Sequence, residues 1–149
     1  MYEIPKITVP VDLVLMTGEN IEGNMFVTED LVSASGNPLI EDFLNEDPDA
    51  FFPFESSAGA YRLINKKHLI MVKCAQDDIE VKTQTPIPPR NLVVHFTIER
   101  TVYGVVYPTL AEESRVSDIV NQDENFMVIY QNGLKHIINR DHIVYINAN

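Results

Sequence analysis

Hydrophobic and polar positions alternate in short runs along this chain, and turn residues break the runs at regular intervals. Strands are predicted at Val11 to Met16 and Ile21 to Val27, joined by the turn Thr17-Gly18-Glu19-Asn20. A second pair is predicted at Leu92 to Ile98 and Val102 to Tyr107, joined by Glu99-Arg100-Thr101. Gly23 and Gly104 interrupt the second strand of each pair, where a glycine commonly marks a bend or bulge. The period then changes. Ile40, Phe43 and Leu44, and again Val116, Ile119 and Val120, fall on one helical face, so a short helix is expected after each pair. Asn37-Pro38 and Ser114 are the expected helix starts. Two hairpins follow: Phe51 to Glu55 with Tyr61 to Ile64, and Phe126 to Tyr130 with Leu134 to Ile138 across Gln131-Asn132-Gly133.

These elements occur twice in the same order. Leu63-Ile64-Asn65-Lys66-Lys67-His68-Leu69-Ile70-Met71-Val72 aligns with Ile137-Ile138-Asn139-Arg140-Asp141-His142-Ile143-Val144-Tyr145-Ile146. Asparagine, a basic residue and histidine recur at the same places, and every apolar position is kept. Upstream, Ile40 to Asn45 aligns with Val116 to Asn121, and Ile21 to Phe26 aligns with Val102 to Tyr107. Collinear blocks of this kind imply an internal duplication. The expected organisation is a first repeat over 1–75, a proline-containing linker over 76–90 and a second repeat over 91–149. Pro86-Ile87-Pro88-Pro89 makes that linker stiff and extended, and it also contains a PxxP pattern.

Two stretches carry a resemblance. Val14-Leu15-Met16-Thr17-Gly18-Glu19-Asn20-Ile21-Glu22-Gly23-Asn24-Met25 resembles the first signature of the Sm-like proteins, and Arg140-Asp141-His142-Ile143-Val144-Tyr145-Ile146 resembles the end of their second. The resemblance implies a small, strongly bent, five-stranded barrel that assembles into rings through edge strands and often binds RNA. The fold class expected is therefore mainly β with one short helix per repeat, as two tandem Sm-like small bent barrels packed together. The family's Arg-Gly pair is replaced here by Asn65-Lys66 and Asn139-Arg140, so RNA binding does not carry over residue by residue.

Charge sharpens this picture. Eleven Lys and Arg stand against 22 Asp and Glu, a formal net charge of -11. Such a surface repels phosphate backbones unless its basic residues are segregated. Nucleic acid is not an expected partner; a basic groove near Lys66, Lys67 and Arg140 would reverse that expectation. The acids at Glu46-Asp47-Pro48-Asp49 do not fit an EF-hand loop and read as a solvated face. The single cysteine, Cys74, excludes an internal disulfide and suits a reducing compartment, so a cytoplasmic location is expected. The longest apolar runs have four or five residues, against the roughly 20 that a membrane-spanning helix needs, and the N-terminus lacks a secretory pattern.

The candidate polar sites are the repeated sets Asn65, Lys66, His68 and Asn139, Arg140, His142. An asparagine side chain reaches the backbone two residues on and holds a turn, and a histidine at the turn's end can bond a neighbouring carbonyl. His136 and His142 supply too few ligands for a metal centre, and Arg62 stands where a repeat of His136 would be. No nucleophile elbow, phosphate-binding glycine loop or zinc-protease helix is present. The expectation is a non-enzymatic protein-interaction or assembly module without cofactor, a homo-oligomer or a binder of another protein through exposed strand edges; the alternative is an RNA-binding Sm-like protein. The closing strands, Leu69 to Val72 and Ile143 to Ile146, are apolar and uncharged, unlike protected edges.

Overall fold

A computed structural model describes residues 6–32, 36–77, 87–108 and 115–148. The first half holds β1 (Lys6–Leu15), β2 (Asn20–Thr28), α1 (Ile40–Glu46), β3 (Phe51–Ser56), β4 (Tyr61–Asn65), a 3-10 turn (Lys66–His68) and β5 (Leu69–Ala75). The second half holds β6 (Arg90–Phe96), β7 (Thr101–Val106), α2 (Val116–Val120), β8 (Phe126–Gln131), β9 (Leu134–Asn139), a 3-10 turn (Arg140–His142) and β10 (Ile143–Ala148). The protein is thus mainly β, with one short α-helix among the described residues of each half. The expected cap at Ser114 and the Pro86 end of the PxxP pattern lie outside the described residues.

All ten strands belong to one antiparallel sheet, ordered β10-β6-β7-β8-β9-β5-β1-β2-β3-β4. The halves meet where β5 pairs with β9, with Met71 opposite Ile138 and Val72 opposite Ile137. Among the described residues the end strands, β4 and β10, each have one paired neighbour. β1 begins earlier than the apolar pattern suggests, because Lys6 to Val11 ladder onto β2 alone. Pro10 lies in that one-sided stretch, where a missing N–H is tolerated.

β5 accounts for the run Leu69-Ile70-Met71-Val72. All four residues are buried, because β5 lies in mid-sheet and packs on both faces. One apolar cluster holds Leu13, Met25, Phe43, Phe52 and Phe54 of the first half, with Phe126 and Ile137 entering from the second. The other holds Leu92, Val94, Val102 and Ile129 of the second half, with Val14, Ile70 and Met71 entering from the first. Each side chain of this size contributes about 1.5–3 kcal/mol when fully buried, so both clusters depend on the junction.

Gly23 and Gly104 sit at matching points, opposite Ser56 of β3 and beside β8. A Cβ on Gly23 would overlap the Glu55 carbonyl oxygen and the Phe54 ring, and one on Gly104 would overlap Ile129 Cγ2. Close approach of the following strand requires glycine at both places. Turn chemistry is equally local. Asn132 and Gly133 have φ of 52° and 77°, which suits a tight hairpin turn.

The helix starts differ from expectation. α1 is entered from Leu39 with no side-chain cap, and the Asn37 amide instead donates to Asp77 Oδ2 at 2.9 Å. Burial of Ile40, Phe43 and Leu44 holds the helix in place of a cap. In α2, Val116 is buried, while Ile119 and Val120 pack half-buried against the second cluster. Among the described residues no helix is long and apolar enough to cross a membrane.

Candidate functional site

The two Asn-basic-x-His sets form the two 3-10 turns. Asn65 Oδ1 accepts from Lys67 N, and Asn139 Oδ1 accepts from Asp141 N, both at 3.0 Å. Backbone bonds match as well: Met16 N donates to His68 O at 2.8 Å, and Thr97 N to His142 O at 2.9 Å. The two turns differ in what else they touch.

The second turn lies against the first. Asn139 is 1% exposed, and its amide nitrogen donates to Leu69 O at 3.0 Å and to Lys66 O at 3.2 Å. With the turn bond, its side chain has three partners, two of them across the junction. His142 Nε2 meets the carbonyl of Lys67, again across the junction. Asn65 and His68 occupy the same positions in the first turn, which follows the outer strand β4. Among the described residues, the Asn65 side chain makes only its turn bond.

The basic residues are engaged by the protein itself. Lys66 Nζ donates to Asp47 O at 2.7 Å and lies 3.6 Å from Asp47 Oδ2. Arg140 Nη1 donates to the carbonyls of Val120 and Gln122. A cleft of about 520 Å³ beside Lys66 and Lys67 is also lined by Asp47, Asp49, Asp123, Glu124 and Asp141. This neighbourhood is acidic, the opposite of the groove a phosphate backbone needs.

Two junction contacts were not singled out by sequence reasoning, and a third residue was weighed there only as a metal ligand. Asn45, in the last turn of α1, accepts from Phe126 N at 2.9 Å and donates to Phe126 O at 3.0 Å. One carboxamide thereby satisfies both backbone polar groups of a single β8 residue, as a neighbouring strand would. Its match with Asn121 in the aligned blocks was the available signal. Lys135 Nζ lies 2.6 Å from Glu41 Oε2, with side chains 4% and 14% exposed. Neither residue has a charged counterpart: Tyr61 and Ser117 stand at the aligned positions, so repeat matching could not find the pair.

His136 is the third. It is buried opposite Lys73, and neither ring nitrogen has a partner. Burial, and then the charge of Lys73, hold its pKa below the ordinary histidine value. His136 and His142 are not joined by a third ligand: among the described residues no group of three or more His, Cys, Asp or Glu is placed to hold a metal ion. Cys74 is half-buried and lies opposite Lys135 in the β5–β9 ladder.

Comparison with protein-family models, with curated proteins and with solved structures returns no match.

Proposed function

We propose that this chain is a tandem pair of Sm-like units that works as an assembly module, joining further copies of itself head to tail through β4 and β10. One observation carries the reading: the internal junction supplies a template for an external one. β9 and β4 are aligned in sequence, as are β5 and β10, so β4 of one copy can meet β10 of the next as β9 meets β5. The register then sets Ile64 opposite Tyr145 and Leu63 opposite Ile146 of the next copy.

Exposure supports this pairing. Phe126 and Ile137 cross the internal junction and are buried, whereas their aligned residues Phe51 and Leu63 are 51% and 62% exposed. Ile70 and Met71 are buried, whereas Val144 and Tyr145 are 59% and 53% exposed. A monomer would leave these apolar side chains in water beside two unpaired strand edges, a combination that natural sheets avoid or use. Asn65, His68 and Asn121 of the external joint occupy the positions of Asn139, His142 and Asn45 in the internal one.

Light scattering on the full chain at micromolar concentration tests the proposal. The expected mass is a multiple of 16.9 kDa, falling to 16.9 kDa in Leu63→Lys. Leu63 is exposed within one copy, so this substitution leaves the fold intact. A mass of 16.9 kDa for the unaltered chain would refute the assembly.

A further inference from the structure

A shallow cleft opens beside the second-strand glycine of each half, and the two clefts differ in chemistry. In the first half the cleft runs past Gly23 and is lined by Asp12, Glu22 and Lys73, among others. In the second half it runs past Gly104 and measures about 450 Å³. The strand registers match: Asp12 faces Glu22 across β1 and β2, and Val93 faces Tyr103 across β6 and β7. At aligned positions, then, a carboxylate pair has become a valine and a tyrosine.

Aromatic and carboxamide groups make up most of the remaining wall. Tyr107 and Tyr130 stand edge to face with centroids 5.5 Å apart, and Asn91, Gln131 and Asn132 line the same space. Tyr103 is 60% exposed, so its ring does not serve the core. None of the described residues lining this cleft is charged.

We infer that the second-half cleft is a binding site for a neutral sugar. The volume falls in the range of small-molecule sites, roughly 300–1,000 Å³. An exposed tyrosine offers a flat apolar face with a polar tip, which suits the C–H face of a pyranose ring. Carboxamides carry both donors and acceptors, matching hydroxyl groups that are themselves both. Charge selects against the other small ligands. With no cation in the described wall and a net charge of -11, an anionic ligand is repelled; with no carboxylate there, a cation finds no direct ion-pair partner. A nucleobase is best held between two stacking faces, whereas this cleft presents one exposed ring on an open surface.

Saturation-transfer difference NMR on the full chain tests the inference, with galactose, N-acetylglucosamine, maltose and cellobiose as separate probes and uridine as a planar control. Transfer to at least one sugar is expected. It is expected to disappear in Tyr103→Ala and in Asn91→Ala, and to persist in Glu22→Ala, which alters the corresponding cleft of the first half. Both Tyr103 and Asn91 are exposed, so these variants should keep the parent's unfolding midpoint. Transfer to none of the sugars, transfer to uridine alone, or a sugar signal that survives both substitutions would overturn the assignment.

Discussion

The Glu41 carboxylate on α1 lies 2.6 Å from the Lys135 ammonium on β9, and this ion pair bridges the two halves where both side chains are largely withdrawn from water. A buried pair of this kind costs desolvation energy, so its value lies in what happens when one partner is lost. Glu41→Leu or Lys135→Met alone is expected to lower stability by roughly 3–5 kcal/mol, by stranding the remaining charge. Glu41→Leu combined with Lys135→Met should cost clearly less than the two single changes added together. Urea denaturation of the four proteins measures this, and strict additivity would show that the pair is not coupled.

The strand glycines make a second test. Gly23→Ala places a methyl group closest to the backbone carbonyl of Glu55, whereas Gly104→Ala places it closest to the Ile129 side chain and, less tightly, 2.8 Å from the Tyr130 carbonyl oxygen. A side chain can shift more easily than a ladder. Both variants should lose stability by about 1–3 kcal/mol or more, with Gly23→Ala the worse. Midpoints of chemical unfolding order the two; a neutral Gly23→Ala would mean that β2 and β3 are further apart than described.

Acid should weaken the junction through His136. Burial, helped by the charge of Lys73, lowers its folded pKa, while in the unfolded chain it stays near the ordinary histidine value of about 6.5. Above that value the ring is neutral in both states and the contribution to stability is complete. As pH falls below it, the unfolded chain takes up the proton first, and stability is lost progressively toward the lower folded pKa. His136→Gln should remove this part of the slope. Unfolding midpoints between pH 8 and pH 5 provide the comparison, and parallel curves for the two proteins would exclude His136 as the cause.

Nucleic-acid affinity should be weak. Lys66 and Arg140 are held by protein carbonyls, and the cleft beside them is acidic. Fluorescence titration with short U-rich and A-rich RNA at about 0.15 M salt should give no submicromolar binding. Tight binding that falls steeply with added salt would contradict this.

The proposed external joint also predicts a proximity. Leu63 and Ile146 of neighbouring copies should face one another, as Ile137 and Val72 do within the chain. In a Cys74→Ser background, Leu63→Cys combined with Ile146→Cys should give a ladder of crosslinked species with a short thiol-bridging reagent. Either cysteine alone should give no ladder. Absence of crosslinks in a protein of oligomeric mass would mean that the copies meet by another surface.

Much of the local structure was legible in the sequence, because its causes are local. Apolar spacing located the strands and both short helices, and Asn132-Gly133 located a hairpin through the backbone freedom of those two residues. The recurrent asparagines at 65 and 139 marked turns because each side chain bonds a backbone only two residues away. Other features depended on neighbours distant in the chain. Leu69 to Val72 and Ile143 to Ile146 read alike, yet the first run is fully buried and the second is partly or largely exposed. The difference is that β5 has β1 and β9 on its two sides, while β10 has only β6. Which edge meets which was decided by the tertiary arrangement, as were the roles of Asn45, Glu41, Lys135 and His136. The residues they meet lie in the opposite half of the chain, and the burial that gives these polar groups their energetic weight exists only once the halves have joined.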